Sequence, residues 1–592
     1  MIFNDLDSYK DFLSKHDPLL FDGHLSLLEM KTFSEFAKPS LKRVIKAVES
    51  HERILIFGHD DADGITSLYI MYDYLKQTGC DLLYYLPNRE IENHGIRENV
   101  IRYAIENQVK LMIVVDNGIS SVDGVDRLNQ AGIDCVILDH HLIPEKLPEA
   151  CAILNPKLFN GDNEEHATSL VTSDLKAEKL YQGDLKMLAG VGVCFFFLHC
   201  LNQHFKNIEL KEEYLFWTAI GSIADRVPMT GVNHLIVRQL LNEWDKCTVS
   251  PLIEFISGKS GSTATHQEKI LFLNSLIRFF YFGRQLNGSH LCFSFLLSES
   301  REAMENYYNQ LMVLKDENQV LTDTNEAIIN QEVIQMIDRI ILENASECEL
   351  LHKEVNKQLH LFYRDKQLMS VVYVDYQGRL AYSLIGRLAG NLVNRYHCPV
   401  MILQTKHSPQ SAEHHENSAQ TTQMVCEARC LDGFHWLNCF NSFADILVNF
   451  GGHVKAAGFL MNTENLTELI SRYHQYLNQY IASTQTAEVN KQLHSVKKTE
   501  YHAVLKYSPE IWKSLLDFYE ACLPYGEGFS ESVFCISNDM SDKDLLKSCI
   551  ENREYFVNQF IFDKIAENHD KINEIVLTAS NDWNQLKVLH YQ

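Results

Sequence analysis

Ile54-Leu55-Ile56-Phe57-Gly58-His59-Asp60-Asp61-Ala62-Asp63-Gly64-Ile65-Thr66-Ser67 runs four apolar β-formers into a glycine, a cluster of acids and a second glycine. An apolar run, a glycine and then the amphipathic spacing of Leu68, Ile70, Met71 and Leu75 predict a buried strand, a loop and a helix. In open α/β sheets the loops at the carboxyl ends of strands line the ligand crevice, so Asp61 and Asp63 are placed where two repelling carboxylates need a cation. An acidic turn that only caps the helix is the plainer alternative.

The pattern repeats outward from this stretch. Strand-like runs at Leu82–Leu86, Leu111–Val115, Cys135–Leu138 and Ala152–Leu154 alternate with helical spacing around Leu68–Lys76, Asn99–Gln108 and Val122–Ala131. That order predicts α/β architecture, a mostly parallel sheet with helices on both faces. The first runs end in polar residues: Asp61 and Asp63, then Asn88 and Arg89, then Asp116 and Asn117, then Asp139, His140 and His141. Chemistry at one edge of the sheet follows.

Residues 185–245 have helical spacing, with Phe195, Phe196, Phe197 and Leu198 as candidate core. The polar, glycine-free and proline-free segment Arg301–Leu342 predicts a long connecting helix. Strand patterns at Leu359–Tyr363 and Met369–Tyr373 open a second α/β unit, and Thr405–Gln423 has the composition of a surface insertion. The expected division is an amino-terminal helical segment (1–45), a catalytic domain (46–250), a helical connector (251–345), a substrate-binding α/β domain (346–485) and a carboxy-terminal β unit (486–592).

Composition bounds the function. With 46% hydrophobic and 22% charged residues the chain has the make-up of a soluble globular protein, and its start lacks the basic and apolar signature of an export signal. The longest apolar stretch, 187–200, is too short to span a bilayer. Fifteen cysteines without a CxxC pair fit buried thiols in a reducing compartment, so the expectation is cytoplasmic, with no membrane partner. A net charge of -25 argues against nonspecific coating of a polyanion, yet it is compatible with a metal-dependent nuclease, whose carboxylates lower the net charge.

Asp61, Asp63, Asp116, His140 and a further acid, Asp225, are therefore candidate ligands, with an Asp225–Arg226 ion pair as the structural alternative for the last. Adjacent histidines after a buried strand can offer one imidazole to a metal while the other reaches substrate or is oriented by a carboxylate. Oxygen donors with one or two imidazoles and no thiolate suit Mg2+ or Mn2+ better than zinc. Several aspartates can share two ions, a recurrent solution for attack at phosphorus, so phosphoester hydrolysis is the leading chemistry.

Asp61-Ala62-Asp63-Gly64, Asp116, Asp139-His140-His141 and Asp225 resemble, in order and spacing, the four motifs of the DHH phosphoesterase superfamily. Pro87-Asn88-Arg89 with His94-Gly95-Ile96, Leu188 to Val193, and Leu523 to Gly528 resemble its RecJ branch of single-strand-specific 5′ to 3′ exonucleases, and Phe450 to Phe459 resembles the DHH-associated domain. The resemblance implies a parallel-sheet DHH domain, a DHH-associated domain and a carboxy-terminal OB-like β unit, here short. It implies that Asp61, Asp63, Asp116, His140 and Asp225 hold two Mn2+ or Mg2+ ions, with Asp116 bridging and His141 at the scissile phosphate. It assigns Arg89, Arg429, Gly451, Gly452 and His453 to the substrate strand. The implied activity is release of mononucleotides from single-stranded DNA threaded between the two domains, in repair and recombination beside a helicase and a single-strand-binding protein. A DHH hydrolase of short oligonucleotides or cyclic dinucleotides and an inactive DHH scaffold are the rivals.

The sequence departs from the RecJ pattern at His59, where an acid is usual, at Leu380-Ala381 and Asn391, and at Glu427 and Cys430 flanking Arg429, where serines are usual.

Overall fold

The computed structural model describes residues 6–16, 31–88, 92, 95–159, 185–257, 265–281, 283, 285, 288–343, 351–354, 357–364, 367–380, 382–405, 423–431, 434–452, 454–484, 503–506, 511–523, 525, 534–537, 574–579 and 586–591. Arg89, His453 and most of the 405–423 insertion lie outside them. Two compact units divide the chain: residues 1–312 with 499–592, and residues 313–498.

The first unit holds a five-stranded sheet of β1 (Ile54–Phe57), β2 (Leu82–Tyr85), β3 (Leu111–Val115), β4 (Asp134–Leu138) and β5 (Ala152–Leu154), ordered β2-β1-β3-β4-β5. Every pairing is parallel. The central strands are solidly apolar because both faces are covered: all residues of β1 and β3 are buried. Val100, Ile101, Val125 and Leu128, from the helices Glu98–Glu106 and Val122–Gln130, pack with Leu55, Met112, Val114 and Ile137. The helices Ala62–Lys76, Gly190–Asn202 and Glu213–Ala224 pack on one another, with Phe195, Phe196, Phe197 and Leu198 buried as expected. β2 stops one residue short of the sequence expectation because the Leu86 amide donates to Gly288 O (2.9 Å). None of the helices among the described residues is long and apolar enough to cross a membrane.

This strand order fixes where chemistry belongs. From β1 the chain crosses to β2 on one side and then to β3 on the other, so the loops after β1 and β3 part and leave a crevice at the carboxyl edge.

In the second unit seven strands, β6 (Leu351–Glu354), β7 (Leu359–Arg364), β8 (Gln367–Asp375), β9 (Val400–Thr405), β10 (Gln423–Arg429), β11 (Leu447–Gly452) and β12 (Ala456–Asn462), are ordered β11-β12-β10-β9-β8-β7-β6. β8 and β9 are parallel, joined across the helix Tyr382–Tyr396, and the other pairs are antiparallel. Alternation sends Val371, Tyr373, Val400 and Ile402 to the face covered by that helix, and Val372, Val374, Met401 and Leu403 to the face covered by Trp436 and Tyr473. The expected long connector is present as one helix, Arg301–Glu343. The carboxy-terminal β unit is a four-stranded sheet, β13 (Ala503–Lys506), β14 (Phe534–Ser537), β15 (Glu574–Ala579) and β16 (Leu586–Tyr591), in sequential order.

Candidate metal centre

The helix after β1 begins at Ala62, earlier than its apolar spacing implied. Asp61 is its N-cap, accepting from the Gly64 amide at 3.0 Å, and Asp63 sits in the first turn. The two acids thus stand on a helix start, not in a loop, and the capping alternative is realised together with the functional one. Asp116 follows β3 in the left-handed region (φ 55°), a conformation that Asp tolerates better than most side chains. Its amide donates to Leu138 O at 3.0 Å, keeping the turn on the sheet. Asp225 is the C-cap of the Glu213–Ala224 helix, where the negative end of the helix dipole disfavours a carboxylate.

These separate segments meet at His140. Its Nε2 lies 3.2 Å from Asp116 Oδ1, 3.7 Å from Asp63 Oδ2 and 3.7 Å from Asp225 Oδ2, so Asp225 faces the histidine and not Arg226. Ligand atoms of three overlapping sets, Asp116/His140/His141, His59/Asp61/Asp116 and Asp63/His140/Asp225, lie within 4.8 Å of one another. Asp116 belongs to two sets, as does His140. His59 joins the cluster through Nδ1, 2.7 Å from Asp61 Oδ2.

Asp63 is held by the start of a helix far away in sequence. Its carboxylate accepts from the amides of Gly190 (2.7 Å) and Val191 (2.8 Å), the positive end of the Gly190–Asn202 helix. That helix approaches because residue 190 has no side chain: a Cβ there would stand 2.6 Å from Asp116 Cβ and 2.7 Å from its carboxylate. Gly221 gives the Glu213–Ala224 helix the same access, since a Cβ would meet Thr66 Oγ1 at 2.6 Å and Asp63 Oδ1 at 3.0 Å.

The electrostatics follow from packing four acids into a dry edge. Burial, then the charge of Asp61, pushes Asp63 up to about 6 in spite of its two amide bonds. Burial, followed by the charges of Asp63, Asp61 and Asp225, carries Asp116 well above the carboxylate range; burial with Asp63 and Asp61 does the same to Asp225. Without a cation the cluster therefore holds protons. Asp139 behaves oppositely. Burial would raise it, but His141 and His140 hold it well below the usual carboxylate range. It accepts from the amides of Ile119 (2.9 Å), His140 (2.7 Å) and His141 (3.1 Å), and binds His141 Nδ1 at 2.8 Å. Burial disfavours the charged His141 ring, yet Asp139, with Asp225 and Asp61, lifts it to about 9.

The structure therefore brings Asp61, Asp63, Asp116, His140, His141 and Asp225 together. It also adds residues that sequence reasoning left out. Lys157 donates through Nζ to His140 O, and Asn155 donates to His141 O at 2.9 Å, so the segment after β5 braces the histidine pair. The Asn155-Pro156 turn signal was available, but nothing in it named its target. In the second unit Arg429 lies on β10 and pairs with Glu427 at 2.9 Å, while Gly451 and Gly452 end β11, Gly452 at φ 123°.

A family model described as the DHH family, N-terminal domain, matches residues 53–221, the span that contains β1 to β5 and most of this cluster. Residues 53–221 thus carry a match to the amino-terminal domain of the DHH family. The chain is also similar to proteins named single-stranded-DNA-specific exonuclease RecJ: 27% identical to that of Bacillus subtilis over 82% of this chain and 52% of that protein. The corresponding Dickeya dadantii protein is 26% identical over 83% of this chain and 76% of its own length. The chain thus spans about half the length of the Bacillus subtilis relative and about three quarters of the Dickeya dadantii one. RecJ of Thermus thermophilus, solved with Mn2+, has the same fold: TM-score 0.58 at 19% identity, covering 99% of this chain and 74% of that one.

Proposed function

We propose that this protein is a metal-dependent exonuclease that hydrolyses single-stranded DNA 5′ to 3′ to mononucleotides. The observation that carries the reading is the convergence of Asp63, Asp116 and Asp225 on His140, with Asp61 joined through Asp116, an arrangement in which burial and mutual repulsion push Asp63, Asp116 and Asp225 up and favour protons or cations. Hard oxygen donors with imidazole fit Mn2+ or Mg2+, and the Thermus thermophilus relative was solved with Mn2+. Asp61, Asp63, Asp116, His140 and Asp225 would hold two such ions, with Asp116 shared between them. When bound, ions of this kind activate water for attack at phosphorus and offset charge on the leaving oxygen.

The chain's own residues supply the rest. His141, fixed through Nδ1 by Asp139, whose charge favours the protonated ring, donates to a phosphate oxygen. Asp139 orients it and holds no ion. Lys157 and Asn155 fix the backbone of the two histidines, so the ring that binds metal and the ring that binds phosphate keep their separation. Arg89, Arg429, Gly451, Gly452 and His453 grip the strand and its 5′ end. Work in the cytoplasm in DNA repair and recombination, beside a helicase and a single-strand-binding protein, completes the reading.

The test uses purified protein with Mn2+ and long single-stranded DNA labelled at either end, beside a dinucleotide. Mononucleotides released from the 5′ end, and lost in Asp116→Ala, are expected. Cleavage of the dinucleotide alone, or of neither substrate, contradicts the reading.

A further inference from the structure

We infer that Glu427 is a built-in competitor for DNA phosphate at Arg429, so that the strand must displace a carboxylate to be held there. The inference rests on the reading above, in which Arg429 contacts single-stranded DNA.

Glu427 and Arg429 are two apart on β10, whose alternation puts both on the face that also carries Gln423 and Val425. Arg429 Nη1 donates to Glu427 Oε2 at 2.9 Å and to Ala428 O at 2.8 Å. Among the described residues these are its hydrogen bonds, so Nε and Nη2 keep donors for a ligand. The guanidinium lies over Gly386 on the Tyr382–Tyr396 helix, where a Cβ would stand 2.6 Å from Nη2.

The placement of the arginine does not depend on the glutamate. The Ala428 carbonyl holds Nη1, and the bare face of Gly386 seats Nη2. What Glu427 contributes is charge: Arg429 is its hydrogen-bond partner among the described residues, and both side chains are 25% exposed. At that exposure an ion pair is weak enough to exchange with solvent and ligands. A carboxylate and a non-bridging phosphate oxygen ask for the same donors in the same planar fork. While the pair is closed its own two charges cancel toward a polyanion, in a chain that already carries -25. The consequence is a grip that a continuous strand, held at other points, can open, and that a short fragment opens poorly.

The test measures binding of labelled oligothymidylate by fluorescence anisotropy across a salt series, with every variant built on Asp116→Asn so that the strand stays uncut. Glu427→Gln is expected to tighten binding roughly fivefold at low salt. It should also steepen the slope of log K against log salt by about 0.7, the value of one further single-strand phosphate contact. Both effects should vanish in Arg429→Gln. Weaker binding or an unchanged slope in Glu427→Gln overturns the inference, making Glu427 a support for the arginine. If Arg429→Gln weakens binding and Glu427→Gln does not tighten it, the competitor alone falls. If Arg429→Gln has no effect, the contact of Arg429 with DNA falls with it. Absence of oligothymidylate binding in every variant contradicts the proposed function itself.

Discussion

The carboxyl edge of the first sheet and the Tyr382–Tyr396 side of the second sheet handle charge in opposite ways. At the first edge Asp63, Asp116 and Asp225 are crowded around His140, with Asp61 beside Asp116, and burial with mutual repulsion pushes Asp63, Asp116 and Asp225 up. On the second sheet a single acid neutralises a single base across 2.9 Å, one quarter exposed, with the charge already settled. The difference teaches where each kind of ligand is expected: unresolved charge calls for cations, whereas a settled pair has to be exchanged by its ligand. Chemistry and grip can then be altered separately.

The sharpest way to break the contrast is to remove an acid from the crowded edge. Asp116→Asn keeps a side chain that tolerates the left-handed backbone at this position, and the loss of nuclease activity should be at least about a thousandfold with circular dichroism unchanged. Activity within about tenfold of the parent would show that the shared ligand is not needed. Gly190→Ala asks whether geometry alone suffices. The new Cβ would press on Asp116 at 2.6 Å without deleting any ligand, and activity should fall on the order of a hundredfold, together with weaker Mn2+ binding measured by calorimetry.

Stability against pH measures the unresolved charge directly. Asp63 has its folded value raised from the ordinary 3.8 to about 6, so it stabilises the metal-free fold at low pH and loses that contribution as pH climbs through 6. His141, raised from 6.5 to about 9, likewise contributes below 6.5 and loses its contribution through 9. Asp139, lowered, keeps its contribution over this whole window. Most of the Asp63 contribution is gone by pH 6, so the fall above it belongs to His141 and to the raised Asp116 and Asp225: chelated protein should melt several degrees lower at pH 9 than at pH 6, and Mn2+ should remove most of the difference. A flat profile would mean that the acids are not crowded in solution. The smallest effect belongs to the second sheet: Gly386→Ala, a change that favours the helix, should unseat Arg429 and weaken oligothymidylate binding a fewfold with the melting temperature kept or raised.

How much of this was legible in the sequence follows the same division. Strand tips announce themselves, because an apolar run that stops at Asp61, Asp116 or His140 is a local pattern, and the parallel sheet follows from alternation, whereas the order of its strands came from the structure. The support was not legible. Asp63 is held by amides 127 and 128 residues away, Lys157 and Asn155 brace backbone oxygens that carry no sequence identity, and the early helix start turned a loop acid into a cap. Arg429 was legible as a candidate ligand, but its closure by Glu427 depends on β register and on the bare helix face at Gly386, both tertiary facts. Arg89 and His453 lie outside the described residues, so the 5′ end and the glycine turn rest on resemblance.

The most direct test of the central claim is Mn2+ binding followed by electron paramagnetic resonance, on the parent chain and on Asp116→Asn. Two ions per chain with the broadened signal of a coupled pair, reduced to one or none in the variant, is the predicted result. A parent chain that binds no Mn2+, or binds it only as isolated ions indifferent to Asp116, would contradict the account.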